Sequence, residues 1–290
     1  MSAPPATGPW RAALGRLRHD RVATVAAVVL GVFVLAALFA PAIAPYAPNA
    51  QPDIIGAARL APSWSHPFGT DAFSRDVLSR VIYGARISLG VATLAIVLAM
   101  SVGTAWGAVA GFAGGATDAL MMRIIDALLA IPRILILLLI LGLWGSISLA
   151  SLVLVLGLTG WFATSRLVRE RVRALARQDF TVAARALGAR DVRVLWRHVM
   201  PNALSPVIVA ATLGIGNVIV LEAALSYLGI GVRPPHASWG NIIQDGADQI
   251  GSAWWVALFP GLAMLVTVIA FNLLGDSLRD ALDPRDDRRP

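Results

Sequence analysis

Cysteine and lysine are both missing from this 290-residue chain, and each absence removes a class of chemistry. Without Cys there are no disulfides, thiolate nucleophiles or Cys-ligated zinc or iron–sulfur sites. Without Lys there is no P-loop lysine and no Schiff base, so the chain by itself is not a P-loop ATPase. Charge is also scarce: 14% of residues are charged and 57% hydrophobic, against roughly one-quarter charged in soluble domains. The four histidines, His19, His66, His198 and His236, are too scattered for a metal-ligand spacing. No HExxH, GxSxG or carboxylate cluster at helical spacing is present, so neither catalytic residues nor a metal site is expected. The net charge of +7 comes from 24 arginines, and these cluster beside apolar segments, as topology signals and contacts to anionic headgroups do. The expected partner is membrane lipid and not nucleic acid.

What the sequence does have is long apolar runs. Val22 to Ala44 is uncharged and as a helix would be about 33 Å long, enough for a hydrocarbon core of about 30 Å. It exceeds the roughly 7–15 residues of a secretory apolar core, so it is read as an uncleaved first span despite the Ala40-Pro-Ala sequence. A second span is expected within Ile87–Thr117, where Gly103, Gly107 and Gly111 form a small-residue ridge for close helix packing. The uncharged interval Ile134–Ser165 is too short for two spans and a turn, and Gly142-Leu-Trp-Gly-Ser146 breaks it. The third helix is therefore expected to begin near Asp118 and to run through Arg123, Asp126, Pro132 and Arg133 to about Leu143. The fourth is expected over Ile147–Thr164, the fifth over Ser205–Leu228 and the sixth over Trp254–Leu274.

The fold class is thus all-α, a polytopic membrane protein with six transmembrane helices. Arg11, Arg16, Arg18 and Arg21 precede the first span. Nine arginines from Arg166 to Arg197 follow the fourth. The positive-inside rule puts both groups in the cytoplasm, and an even number of spans between them agrees. Trp144, Trp161, Trp254 and Trp255 fall near helix ends, where indoles meet the membrane interface. The resulting division is a cytoplasmic tail over 1–21, a first span over 22–44, an extracytoplasmic segment over 45–85, a five-helix core over 86–276 and a cytoplasmic tail over 277–290. A stand-alone secondary transporter or channel would show an internal repeat, and no convincing self-similarity links the halves.

The loop over 166–203 carries the sharpest signal. Asp179 is placed to N-cap a helix over Phe180–Leu187, and Gly188 to end it in the left-handed conformation. Asp191 is placed to cap a second short helix, which Pro201 stops. Val192, Leu195, Trp196 and Val199 would turn toward lipid or neighbouring helices. Ala183 and Ala184 leave little bulk on the first helix, so a groove in another protein could accept it closely; a generic amphipathic surface helix is the alternative.

With Ala183, Ala184, Gly188 and Pro201 in register, this loop resembles the EAA loop of ABC-importer permeases, although Val182, His198 and Met200 replace the usual Glu, aliphatic and Leu. Three further stretches, 66–89, 225–241 and 272–284, resemble signatures of the C-type permease in the dipeptide/oligopeptide/nickel family. Ser74 stands where that family usually has Gly. The resemblance implies a type I importer permease that binds no cofactor and forms half of a translocation pathway. It also implies a B-type permease, two ATP-binding subunits and an extracytoplasmic substrate-binding protein as partners. The substrate would be a dipeptide or oligopeptide, or alternatively chelated nickel or another small solute. Coupling to the ATPases would run through Asp179, Ala183, Ala184, Arg185, Gly188, Ala189 and Pro201.

Arg133, Asn217 and Glu222 are the candidate pathway residues. A carboxylate at a helix centre costs about 2.5–3.5 kcal/mol on insertion scales, so Glu222 is expected to face protein or water. It is either a polar wall residue that attracts a peptide amino group or the partner in a structural hydrogen bond to a neighbouring helix. Arg133 either meets a peptide carboxylate, pairs with Asp126 on the same helical face, or snorkels.

Overall fold

The computed structural model describes residues 15–144 and 148–282. Parts of the expectations, the start of the fourth helix at Ile147, the break at 145–146 and the tail residues Arg11, Arg285, Arg288 and Arg289, lie outside the described residues. The described residues form helices and connecting loops, with one isolated bridge between Thr70 and Asp76. Helix α1 spans Arg21–Leu38 and opens on Asp20, whose carboxylate accepts from the Val22 amide at 2.8 Å. The Ser277 hydroxyl and that amide hold the Asp20 carboxyl below its usual range. Ala23, Ala26, Leu30 and Ala37 make the buried stripe of α1, while Val25, Val28 and Val32 stay exposed on a helix with no charge after its first residue. An all-round apolar helix of this kind sits in lipid. The expected span over 22–44 breaks at Phe39. Pro41 cannot donate into the α1 ladder and begins instead a short turn, Ala40–Ile43.

Helix α2, Val77–Ala113, is the long axis of the fold, at about 55 Å for its length. It starts ten residues before the expected uncharged run because Asp76 caps it on the Ser79 amide at 2.8 Å. Gly114, at φ +64°, ends it. The glycine ridge faces helix α6 (Trp161–Leu175): a Cβ on Gly103 would lie 2.7 Å from Thr164 Cβ, and one on Gly111 2.6 Å from the Arg169 carbonyl oxygen. Backbone-to-backbone contact of this closeness needs glycine, so the ridge serves packing.

The third expected helix is two helices. Helix α3 (Gly115–Leu129) and helix α4 (Arg133–Trp144) meet at 75°. Pro132 lies in the gap, where it lacks the amide that would continue the ladder. The fourth is likewise bent by 40° between α5 (Leu149–Leu158), capped by Ser148, and α6. After the Arg-rich loop over 166–203, α9 (Met200–Tyr227) runs antiparallel to α11 (Trp255–Leu282), with the short α10 (Trp239–Ala247) between them in sequence. Among the described residues four helices are long and apolar enough to cross a membrane, and up to six crossings result when each bent pair counts as one. The chain is an all-α, multi-pass membrane protein.

Helix α10 dives into the bundle through a Ser238–Asn241 capping box. Trp239 is fully buried; its indole donates to the Val81 carbonyl at 3.1 Å and its backbone amide to Ser88 Oγ at 3.2 Å. Of the tryptophans expected at the interface, Trp255 is instead buried and donates to the Thr70 carbonyl at 3.0 Å.

Candidate functional site

Two loops of very different construction flank α2. Near its C-terminal end at Ala113, a cluster of Ala108, Val168, Val172, Val194, Val199, Met200, Ala203 and Val207 joins α2, α6 and α9. The 166–203 loop is built on this cluster. Helix α7 spans Asp179–Ala186 and α8 spans Asp191–Val194; a π-helical turn over Leu195–Val199 then runs directly into α9. Pro201 therefore does not stop a helix. It is the second residue of α9, directly after the π-helical turn, and the expected separate short helix is continuous with the fifth span, one helical run over Asp191–Tyr227.

The caps also differ from expectation. Gln178 is the N-cap of α7 and Arg190 that of α8, and neither Asp179 nor Asp191 makes a side-chain cap. Each Asp occupies the first helical position instead, where a negative charge favours the helix dipole. Asp191 is used elsewhere: Arg185 Nε donates to its Oδ1 at 3.0 Å, and the Arg185 guanidinium lies 5.2 Å from the centroid of the Phe112 ring. Gly188 has φ +84°, with the Ala189 amide donating back to the Ala184 carbonyl at 3.1 Å. This is the six-to-one closure of a Schellman motif, and it fixes the angle between α7 and α8. No atom lies within 4 Å of a Cβ built on Gly188, so backbone conformation alone demands glycine there.

Within α7 the two alanines part company. Ala184 and Ala189 are half-buried against the cluster, whereas Ala183 is exposed. Phe180, Val182 and Leu187 are also exposed, Leu187 at 89%. Nothing in the residue pattern singles out Thr181, which is fully buried and whose Oγ1 donates to the Leu175 carbonyl at 2.8 Å, tying α7 to the end of α6. Inward-facing Val194 carries no such signal either; of the four apolar residues expected to turn toward lipid or helices, Val199 is buried while Val192 and Trp196 are exposed. Exposed Arg190, Arg193 and Arg197 share an open groove with Val192 and Trp196.

Behind the loop, α3 is bolted to α6 by charge. Arg169 donates from Nε and Nη2 to the two oxygens of Asp118 at 2.7 and 2.6 Å, and Arg166 pairs with Asp126. Asp126 is thus taken, and the expected Asp126–Arg133 pair does not form, because the bend at Pro132 removes the two side chains from a common helical face. Arg133 donates instead to the Leu156 carbonyl at 2.7 Å and to Thr159 Oγ1 at 3.3 Å, where α5 ends. Arg133 and Asn217 line one cavity of about 250 Å³. Glu222 does not join them. It is fully buried, accepting from Ser88 at 2.9 Å and from Ser226 at 2.6 Å, and so ties α2 to α9 inside the bundle.

At the N-terminal end of α2, the 66–89 signature folds around a buried charge cluster. Arg75 Nε donates to Asp71 at 2.6 Å, and Arg80 bridges Asp71 at 2.7 Å and Asp245 of α10 at 2.8 Å. His66 Nδ1 lies 2.9 Å from Asp76 and its ring stacks on Tyr46. Ser74 takes φ +60°, which explains why glycine suits that position.

Residues 103–287 match the family model for the binding-protein-dependent transport system inner membrane component, and residues 8–62 that for the N-terminal TM domain of oligopeptide transport permease C. The chain is 40% identical to a dipeptide transport system permease protein of Alkalihalophilus pseudofirmus, over 97% of this chain and 91% of that one. It is 38% identical to an oligopeptide transport system permease protein of Bacillus subtilis, over 95% of this chain and 90% of the relative. A bent-helix membrane bundle with an Arg-rich Schellman loop, matched along nearly its whole length, belongs to the family of binding-protein-dependent transport system inner-membrane components, in its oligopeptide-permease C branch.

Proposed function

We propose that this chain is one of two membrane halves of an ATP-driven importer of peptides, in a bacterial plasma membrane. The other half is a B-type permease, two ATP-binding subunits dock beneath, and an extracytoplasmic binding protein delivers the peptide. The chain is non-catalytic and holds no cofactor; ATP is bound by the partner subunits. The relatives' names, which specify dipeptide and oligopeptide transport, support the substrate class.

The observation that carries the reading is the double character of α7. On its inner side Thr181 is buried and Ala184, with Ala189 just past the helix, packs against the α2–α6–α9 cluster, while Phe180, Val182 and Ala183, with Leu187 at the helix end, are exposed for a partner. Force on the outer side reaches α6 through the Thr181 hydrogen bond and α9 through the unbroken α8–π-turn–α9 connection. Asp179 in the first turn, the Arg185–Asp191 pair and the Gly188 closure keep this lever stiff, and Pro201 lies where the π-turn passes into the helix that it drives. The start of α1 and the end of α11 are adjacent, with Arg16 donating to the Ala281 carbonyl at 3.2 Å. Both face the end of α9 that bears the lever, which supports a cytoplasmic side holding 1–21, 166–203 and 277–290. Residues 45–85 then face outward, with 22–44 and the core over 86–276 between.

The test uses the complete importer in vesicles. Peptide uptake requires ATP, and Gly188→Val or Ala184→Glu abolishes uptake while membrane insertion is retained. Valine opposes a positive φ, and a carboxylate in place of the Ala184 methyl would unseat α7 from an apolar cluster. A thiol placed by Leu187→Cys in this cysteine-free chain reacts with an impermeant reagent from the cytoplasmic side only, and more slowly when the ATP-binding subunits are present. Normal ATP-coupled uptake by either variant, or labelling from outside, refutes the lever.

A further inference from the structure

Arg133 stands at the meeting point of the two helix breaks. It opens α4 after the 75° bend, and its guanidinium reaches the last turn of α5, just before the 40° bend into α6. The Leu156 carbonyl and the Thr159 hydroxyl are both neutral acceptors, and together they occupy only Nη2 and Nε. A guanidinium has five N–H donors in a planar fork. Among the described residues no carboxylate lies within salt-bridge distance of Arg133, since Asp126 and Asp118 are both held by α6 arginines. The remaining donors belong to a side chain on the wall of a cavity of about 250 Å³, whose other walls come from α2, the end of α5, α6 and α9. Among the described residues Arg133 is the one charged side chain of that wall. Asn217 and Thr164 are its other polar side chains, and the rest is Ala, Gly, Ile, Leu, Met and Val.

Hydrogen bonds to a frayed helix end can be made by a neutral amide. A permanent cation facing an apolar, uncharged cavity inside a membrane bundle instead marks a site for an anion, because its charge stays uncompensated until one arrives. The cavity has room for the terminal residues of a peptide. We infer that Arg133 is a specificity-determining residue of the translocation pathway, which receives the terminal carboxylate of the passing peptide on its free guanidinium N–H groups. This rests on the proposed peptide import and names the chemical group that the chain itself selects.

The complete importer, reconstituted with its binding protein, is compared for ATP-driven uptake of trialanine and of trialanine amide. Each variant is scored by its free-acid to amide ratio relative to wild type, so that discrimination by the binding protein cancels. Arg133→Gln is expected to lower that ratio about tenfold, the usual scale of a charge-assisted hydrogen bond, and Arg133→Lys to hold it within about twofold. Equal slowing of both peptides by Arg133→Gln overturns the inference and leaves Arg133 as a cap of α5. Where Arg133→Gln does not assemble, the isosteric Asn217→Asp decides. Its carboxylate on the same wall is expected to lower the ratio by about the same factor, and an unchanged ratio overturns the inference. A wild-type importer that carries neither peptide sinks the import reading itself, and this inference with it.

Discussion

At the Val77 end of α2, Asp71, Arg75, Arg80 and Asp245 spend their charges on one another inside the protein, with Asp71 and Arg80 almost wholly buried. At the Ala113 end the arginines of the 166–203 loop mostly face outward, and large apolar side chains are exposed beside them. Both ends are rich in charge, yet only the first is closed. A buried network of paired charges fixes one arrangement of 66–80 against α10, because separating any member leaves a bare charge in a low dielectric. The second end has an apolar seat and a Schellman turn for stiffness, and its outer groups are exposed. The proposed lever calls for both properties: a fulcrum that does not yield and a surface that remains available.

Breaking the closed end gives the largest expected effect. Asp71→Ala leaves Arg75 and Arg80 dependent on Asp245 alone and should cost about 3–5 kcal/mol, the range for removing one partner of a buried ion pair. The purified subunit should show this as a large drop in thermal unfolding temperature. A drop no larger than that of a surface mutant would mean that water reaches the cluster and that the two ends are alike.

Ser74→Gly sharpens the contrast from the other side. The residue has φ +60° and a buried hydroxyl without a hydrogen-bond partner among the described residues, so glycine should stabilise the closed end by about 1 kcal/mol, with transport unchanged. A loss of stability would show that the serine hydroxyl has a partner after all.

The smallest effect on stability is expected at the open end. Leu187→Ser removes a side chain that is 89% exposed and should shift stability by no more than about 0.5 kcal/mol. It should nonetheless lower peptide-stimulated ATP hydrolysis in the assembled importer. Stability loss comparable to that of Asp71→Ala would place Leu187 in the core of the subunit and erase the distinction.

How legible this is in the sequence varies with the kind of question. The spans are visible because an apolar run of span length permits little else, and Gly188 because a helix followed by Gly and a second Asp-started helix demands a left-handed residue. Interruptions are harder. Hydropathy alone carries a continuous third helix through Pro132, and from that continuity comes the expected pairing of Asp126 with Arg133, which the bend removes. The caps lie one residue before the expected positions: Asp at the first helical position and Asp at the cap are both electrostatically favourable, and only backbone angles separate them. Thr181 carries no signal, since its role depends on where the end of α6 lies.

Membrane residence, all-helical build, the small-residue ridge and the glycine turn were settled by local composition, because lipid tolerates only internally satisfied backbone and because left-handed φ and close approach both exclude a side chain. Which Asp meets which Arg, that Ala184 faces inward while Ala183 does not, that Glu222 is enclosed, and that Arg133 borders a cavity were decided by the tertiary structure alone. These depend on the rotational phase of each helix and on the bends between them, and a one-dimensional pattern of residue types does not contain those angles.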